Sequence, residues 1–306
     1  MRKKKHLTSV EIRSFSKGSN IFFNILLAII ALSCILPFVY MVILSLTKES
    51  DITTYGYQFW PKHWSFASYQ YIGKMGGQVI RSFGVSIFIT VIGTIINSVF
   101  VSTYAYAISR SKFAFAKFFT IFALISMLFV PGMVPTYLVV TQMLGLKDNV
   151  WALILPTSFA VYNVLIMRTF FKTSVSESII ESARIDGAGE IRIFCQIVVP
   201  LAIPGIATIS LFSALAYWND WFNAMLYMTD SKFIPLQYLL VQISNNLQYM
   251  SQMISQGGST MAAAQSMPTE GMRFAVVVVA TLPIALTYPF FQKYFVKGMT
   301  VGGVKE

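Results

Sequence analysis

The stretch SFGVSIFITVIGTIINSVFVSTYAYAI, residues 82–108, carries no charged side chain. A helix needs roughly 20 mostly apolar residues to cross the hydrocarbon of a bilayer, and this run exceeds that. It is too long for a strand of a soluble sheet, and it lacks the alternation of the roughly ten-residue segments that build a membrane barrel. A helix in lipid satisfies its own N–H and C=O groups. Working outward, comparable runs occupy 21–46, 118–140, 150–170, 202–226 and 273–295. The pattern predicts an all-α membrane protein with six transmembrane helices.

Composition agrees. A chain of 306 residues could hold one or two domains, yet it is 56% hydrophobic and only 11% charged, against about 25% charged in soluble domains. The net charge of +11 raises the possibility of nucleic acid, and its distribution decides the matter. Arg2, Lys3, Lys4, Lys5, Arg13 and Lys17 precede the first run. Arg110, Lys112 and Lys117 follow the second, Arg168, Lys172, Arg184 and Arg192 the fourth, and Lys293, Lys297 and Lys305 the last. The alternate connections hold fewer: Lys48, Lys62, Lys74, Lys147 and Lys232, with Arg81 and Arg273 at the edges. Cytoplasmic loops carry the Lys/Arg excess, so both termini are expected inside. The lipid bilayer, and no nucleic acid, is the expected partner of this surface.

The expected organisation is a cytoplasmic segment 1–20, a transmembrane domain 21–295 and a cytoplasmic tail 296–306. Residues 1–20 are basic, but the run after them is too long for a secretory signal, so an uncleaved first helix is expected. Cys34 falls in a span and Cys195 in a cytoplasmic loop, so they should not pair. His6 and His63 have no metal-ligand spacing around them. The outer loop 47–81 carries Tyr55, Tyr57, Phe59, Trp60, Trp64, Tyr69 and Tyr71 around Pro61. These suit either the membrane–water interface or an external docking partner. In the outer loop 227–272, Pro235 can open a helix over 236–253. Gly257, Gly258, Ser259, Met267 and Pro268 read as loop. The polar residues between, among them Gln242, Ser244, Asn245, Asn246, Gln248, Gln252 and Gln256, could meet sugar, a partner or water.

The inner loop 172–200 is far longer than the 2–8 residues a helix connection needs. Ser174 or Ser176 can cap a helix there, with Glu177 near its positive end. Ile179, Ile180 and Ala183 form an apolar stripe at helical spacing. Gly187 can supply the left-handed residue that ends the helix, and a second short helix over 190–198 leads to Pro200. Glu177 and Glu181 are like charges at i,i+4, a repulsion that a basic partner surface would relieve. The residues alone leave two readings open, a docking helix or a solvated return loop.

Glu181–Ser182–Ala183, three residues, Gly187, nine residues, then Ile197–Val198–Val199–Pro200 resembles the EAA loop of ABC importer membrane subunits. Ser182 stands where that pattern has Ala, and Val199 where it has Leu. The string Ala183–Arg184–Ile185–Asp186–Gly187–Ala188 resembles the carbohydrate-uptake branch, the group of the maltose permease. Residues 272–306 are similar to a sub-branch assigned to aldouronate-like or other complex oligosaccharides. The matching stretches there are Thr281–Leu282–Pro283, Tyr288–Pro289–Phe290 and the run from Gln292 to Gly298. The resemblance implies the type I ABC importer permease fold and a multi-pass subunit of a bacterial plasma membrane. It also implies three kinds of protein partner: a second homologous permease, two ABC ATPase subunits and an extracytoplasmic sugar-binding protein. Glu177, Ile180, Glu181, Ser182, Ala183, Arg184, Asp186 and Gly187 would then form the coupling helix seated in the ATPase.

No G-x-x-x-x-G-K-[ST] stretch occurs, so this chain is not expected to hold the ATP phosphates. It therefore needs no cofactor of its own, ATP and Mg being bound by the partner ATPase. No nucleophile–base pair, paired carboxylates or metal cluster stands out, and the chain reads as a transport subunit, not an enzyme. Polar residues within spans mark a pathway: Asn97, Tyr162, Asn163, Tyr217, Trp218, Asn219, Asp220, Trp221 and Asn223. Aromatic faces with amides and a carboxylate suit carbohydrate, though such residues also serve as glue between helices. Two other transport readings stand beside carbohydrate: an ABC permease for a polyamine or peptide, and an ion-coupled secondary transporter. A non-transport scaffold is a further one.

Overall fold

The computed structural model describes residues 17–74, 76–255 and 269–302. The basic residues before Lys17, the 257–259 and 267–268 loop positions and Lys305 lie outside the described residues. Among those described, the chain is mostly helical, and its strand pairing is limited to one isolated antiparallel bridge, Thr47 to Trp64.

The first run becomes α1, Lys17–Ser45. Almost every side chain along it is exposed, and none of its most apolar window is buried, as a lipid-facing helix requires. Short helices α2 (Glu49–Tyr55) and α3 (Ala67–Lys74) lead into α4, Gly76–Ser109. This helix contains the 82–108 run and forms the hub, packing most extensively on two later helices.

The third expected span is not one helix. It divides into α5 (Ala116–Leu128) and α6 (Met133–Leu138, continued by a π-helical turn Val139–Met143), bent by 110°. Pro131 and Gly132 fill the break. A proline removes a backbone donor and disfavours helix in the residue before it. The fourth run is also interrupted, into α7 (Trp151–Ile154) and α8 (Val161–Ser174), with Pro156 between. The inner loop gives α9 (Glu177–Ile185), α10 (Glu190–Ile193), a π-helical turn Phe194–Val198 and α11 (Val199–Leu201). The chain then turns by 81° at Ala202, between Pro200 and Pro204, into α12, Ile203–Trp218. The fifth run is cut again at Asn219–Asp220 before α13, Phe222–Tyr227.

Pro235 opens a helix as expected: α14 runs Leu236–Ser255. The last helix, α15, spans Thr269–Gly302 with Pro283 and Pro289 inside it. Three of the described helices are long and apolar enough to cross a membrane alone, and five if each bent pair counts as one. Continuity was the part of the six-helix expectation that fails: the third and fourth runs break beside proline and the fifth at Asn219–Asp220, whereas Pro283 and Pro289 leave α15 unbroken.

The expected interfacial loop 47–81 folds onto the start of α15. The Glu49 carboxylate accepts the N–H groups of Glu270 and Gly271, each at 3.0 Å, neutralising the positive end of α15. Phe59 stacks on Tyr40 with ring centroids 4.2 Å apart, while Trp60 stays 84% exposed.

Candidate functional site

Two buried apolar clusters lie along α4. One gathers at its C-terminal end, from Val101, Ala105, Tyr106 and Ile108 with Val164, Met167 and Phe171 of α8. The other surrounds Ile89 nearer its start, with Tyr217 and Trp218 of α12 and several α14 residues. A polar layer separates them.

The inner-loop helix α9 belongs to the first cluster. Ile180 is completely buried and Ala183 nearly so, and Ile193 and Val198 from the following turns join them. Ser176 holds the extended N-cap conformation, but its hydroxyl pairs with the Ser178 hydroxyl at 3.1 Å and caps no N–H. The C-terminus is made as the sequence requires. Gly187 sits at φ 81°, its N–H donates to Arg184 O at 3.0 Å, and Ala188 N–H reaches back to Ala183 O at 2.9 Å. Those two bonds are the Schellman pair. A Cβ at Gly187 would meet no atom within 4 Å, so the demand for glycine is the backbone angle alone.

Charge holds α9 to the α4–α5 turn. Lys112 Nζ donates to Glu181 Oε1 at 2.8 Å, and this hydrogen bond, reinforced by the lysine charge, lowers the Glu181 carboxyl below its usual value. Arg110 Nη1 lies 3.5 Å from Glu177 Oε2, and Ser111 Oγ donates to Glu177 Oε1 at 3.3 Å. The Glu177–Glu181 repulsion is thus relieved inside the chain, so no basic partner is needed for it. That corrects the expectation from the sequence, where residues 66 or more positions away could not be seen as neighbours. Across Gly187, Arg184 Nη2 meets Glu190 Oε1 at 2.7 Å, and the bond raises the guanidinium pKa further. Tyr106 donates to the other Glu190 oxygen at 3.2 Å. Two large apolar side chains remain outward, Ile185 at 86% and Ile191 at 82% exposed, with Ile179, Ser182 and Asp186 also exposed. Of the expected apolar stripe, Ile180 and Ala183 are buried, whereas Ile179 is 42% exposed.

The pathway candidates divide into two groups. Asn97 and Asn163 are buried in the polar layer. Asn97 Nδ2 donates to Thr157 O and Ser158 O at 3.3 and 3.0 Å, carbonyls that the α7–α8 break leaves outside a regular helix. Ser213 donates to Asn97 Oδ1 at 2.6 Å and accepts from Asn163 Nδ2 at 3.3 Å, and Ser98 pairs with Ser210 at 2.8 Å. Backbone in a membrane must be satisfied by protein, and this layer does so. Tyr217 and Trp218 are also buried. Tyr217 donates to Ile154 O at 2.9 Å, its ring seated so tightly over Gly93 that a Cβ there would stand 2.5 Å from it. Trp218 Nε1 donates to Ala280 O at 3.3 Å.

Tyr162, Asn219 and Trp221 are exposed, Asp220 and Asn223 partly so. Asp220 lies in the break between α12 and α13, and its carboxylate takes the backbone N–H and the Nδ2 of Asn223 at 3.1 and 2.7 Å. Asn219 joins Gln237, Ser244, Arg273 and Thr281 around a cavity of about 330 Å³ between α14 and α15. Gln237 and Thr281 had no signal in the sequence as a site, because the cavity forms only when α14 folds back. Among the described residues, no three His, Cys, Asp or Glu side chains converge to hold a metal.

The model of the family described as "Binding-protein-dependent transport system inner membrane component" matches residues 90–301. The chain is 42% identical over 271 residues to the protein LplC of Bacillus subtilis (strain 168), covering 89% of each. It is 40% identical to the same organism's polygalacturonan/rhamnogalacturonan transport system permease protein YtcP, over 91% of this chain and 95% of that one. Its fold is similar to a chain in the crystal structure of a bacterial ABC transporter involved in the import of the acidic polysaccharide alginate. The TM-score is 0.76 at 29% identity, covering 92% of this chain and 99% of the other.

Proposed function

Because the chain belongs to the family of inner membrane components of binding-protein-dependent transport systems, we propose that it is the permease subunit of an ATP-driven carbohydrate importer. Its fold is the all-helical one of type I ABC importer permeases. In this reading the substrate is an oligosaccharide, and it passes between this chain and a second, related permease. Two ATPase subunits lie below and a sugar-binding protein outside, with both termini and the 172–200 loop in the cytoplasm. ATP and Mg belong to the ATPases. Six crossings are then completed by the broken third, fourth and fifth segments.

The observation that carries the coupling role is the two-sided build of α9 and α10. Ile180 and Ala183 fix α9 to the spans, whereas Ile185 and Ile191 stand out of a polar loop as exposed apolar side chains. Solvent alone gives no reason for that exposure, and an ATPase groove does. A conformational change is driven only by contacts that differ between states, so the outward face supplies contact and the buried face passes the movement on. Glu181, Ser182, Arg184, Asp186 and Gly187 shape and hold the peg in this account.

For the substrate, the cavity beside Asn219 is lined by no acidic side chain, and Arg273 within it pairs with Glu270 at 2.7 Å. The amides and hydroxyls of this lining suit sugar hydroxyls, and Tyr162 and Trp221, exposed elsewhere on the chain, offer ring faces, while a polyamine would need carboxylates. The relatives that import polygalacturonan and alginate point to oligosaccharides of that kind. The test is uptake of labelled galacturonan oligosaccharide and of labelled putrescine into cells with and without this chain. Oligosaccharide uptake should require the chain and cease on ATP depletion. Uptake of putrescine alone, or transport surviving ATP depletion, would replace this reading with one of its rivals.

A further inference from the structure

A second cavity, of about 470 Å³, opens between the end of α4, the first turns of α5 and the last turn of α8. Its charged lining is Arg110, Lys117, Arg168 and Lys172 against one acid, Glu177. Arg110 is only 5% exposed. Its Nε donates to Ser109 Oγ at 3.0 Å and Nη2 to Phe171 O at 3.4 Å, but Nη1 is buried without a hydrogen bond. Glu177 forms an ion pair with Nη1 at 3.5 Å while taking a hydrogen bond from Ser111, and the Tyr106 ring centroid lies 5.1 Å from the guanidinium. Glu177 is thus matched by Arg110, and Lys117, Arg168 and Lys172 leave the wall of this cavity short of negative charge.

The surroundings say what kind of anion. Ile121 and Ala116 line the opening, and from there Phe118, Phe122 and Ile125 run along α5 at 62%, 57% and 49% exposed. A soluble anion gains nothing from such a face, whereas acyl chains do. Basic pockets between membrane helices at the cytoplasmic side suit lipid headgroups. We propose that this cavity holds the phosphate of an anionic phospholipid, its acyl chains lying along the exposed face of α5. The phosphate offsets Lys117, Arg168 and Lys172, the cations of the lining that Glu177 does not meet. Because Glu177 opens α9 from the same wall, the lipid sits directly against the base of the coupling helix. Assigning it to the cytoplasmic leaflet rests on the orientation proposed above.

Native mass spectrometry of the purified whole importer, titrated with phosphatidylglycerol or phosphatidylcholine, tests the site. Phosphatidylglycerol should be retained in clear preference. Lys117→Gln/Lys172→Gln, which alters two exposed lysines and leaves packing intact, should cut that preference about thirty-fold, the scale two charges near an anionic surface provide. Arg110→Gln should cut it further if the variant assembles; the lysine pair keeps the test decisive if it does not. Equal retention of the two lipids, or an unchanged preference in the lysine variant, overturns the proposal. So does displacement of the lipid by low-millimolar inorganic phosphate, which would mark a site for a soluble anion. Sidedness is read separately, by labelling Ser111→Cys from each face of sealed vesicles, so a wrong orientation and a missing lipid site give different results.

Discussion

The two ends of α4 are buried to a similar depth but built on different principles. At the loop end, aliphatic side chains from α4, α8, α9 and the 193–198 turn merge into one core, and the chain turns at Val175 and Ala202 are buried inside it. At the other end, the core is assembled around interruptions: the α6 bend, the short α7 and the Asn219–Asp220 cut all border it. Close-packed interiors transmit displacement because they cannot compress, whereas breaks are where chain segments can reorient. In the function proposed above, the loop end, whose turns lie inside one aliphatic core, serves as the lever, and the far end, whose breaks border its core beside exposed Asn219 and Trp221, as the gate. The Asn97–Ser213–Asn163 layer between them holds α4, α8 and α12 in register.

The sharpest way to break the lever is Ile180→Ala. Removing a completely buried isoleucine should cost about 2–5 kcal/mol, read as a lower unfolding midpoint of the assembled importer. It should also reduce sugar-stimulated ATP hydrolysis. Ile185→Ala, on the outward face, should leave the midpoint nearly unchanged and still reduce that stimulation. If both variants lost only stability, α9 would be a structural element and no coupling helix. At the far end, Gly93→Ala drives a methyl into the Tyr217 ring. Overpacking of this kind costs typically about 1–3 kcal/mol. The variant should lower the unfolding midpoint while leaving the spacing between α9 and the α4–α5 turn, measured by cross-linking, unchanged.

Gly187 separates geometry from contact within the lever. Forcing an L-residue into the left-handed region costs roughly 1–2 kcal/mol, and since the site is open, Gly187→Ala should show that strain and little else. Gly187→Asn should recover part of it, because asparagine tolerates this conformation. Gly187→Asp should in addition lower sugar-stimulated ATP hydrolysis in vesicles; undiminished stimulation would count against the coupling role.

The lever was legible in the sequence largely because it is local. The Ile180–Ala183 stripe, the Gly187 stop and the helix after Gly189 all follow from neighbours within a few positions, and so does the α14 start at Pro235. The gate was legible only as apolar length. The pairing of Asn97 with Thr157 and Ser158 spans 60 or more positions, and Lys112 meets Glu181 across 69. A polar residue in a span looks the same whether it satisfies a broken helix or faces a solute, and only packing distinguishes Asn97 from Asn219.

The smallest expected effect is a latch at the gate end. Asp148 adopts φ 55°, one of the few left-handed positions that aspartate tolerates. Its carboxylate accepts the Thr229 hydroxyl and the N–H groups of Thr229 and Asp230, joining the 144–150 turn to the approach of α14. The Thr229 hydroxyl and those N–H groups hold its pKa below the ordinary 3.8. A depressed carboxyl contributes stability above its unfolded pKa and loses it as pH falls through the folded value. The latch should thus be fully closed from neutral pH down to about 4 and open only below that. Being near the surface and screened, it is worth at most about 1 kcal/mol. Hydrogen-exchange protection of Thr229 and Asp230 should fall when the face of a sealed vesicle bearing Asp148 is acidified. It should not fall when only the face bearing α9 is, even though Glu181 is depressed there in the same sense. Asp148→Asn keeps the backbone angle, removes the titrating group and should abolish the pH dependence. Protection that still falls in that variant would assign the opening to another carboxylate and leave the two ends of α4 less distinct than their packing implies.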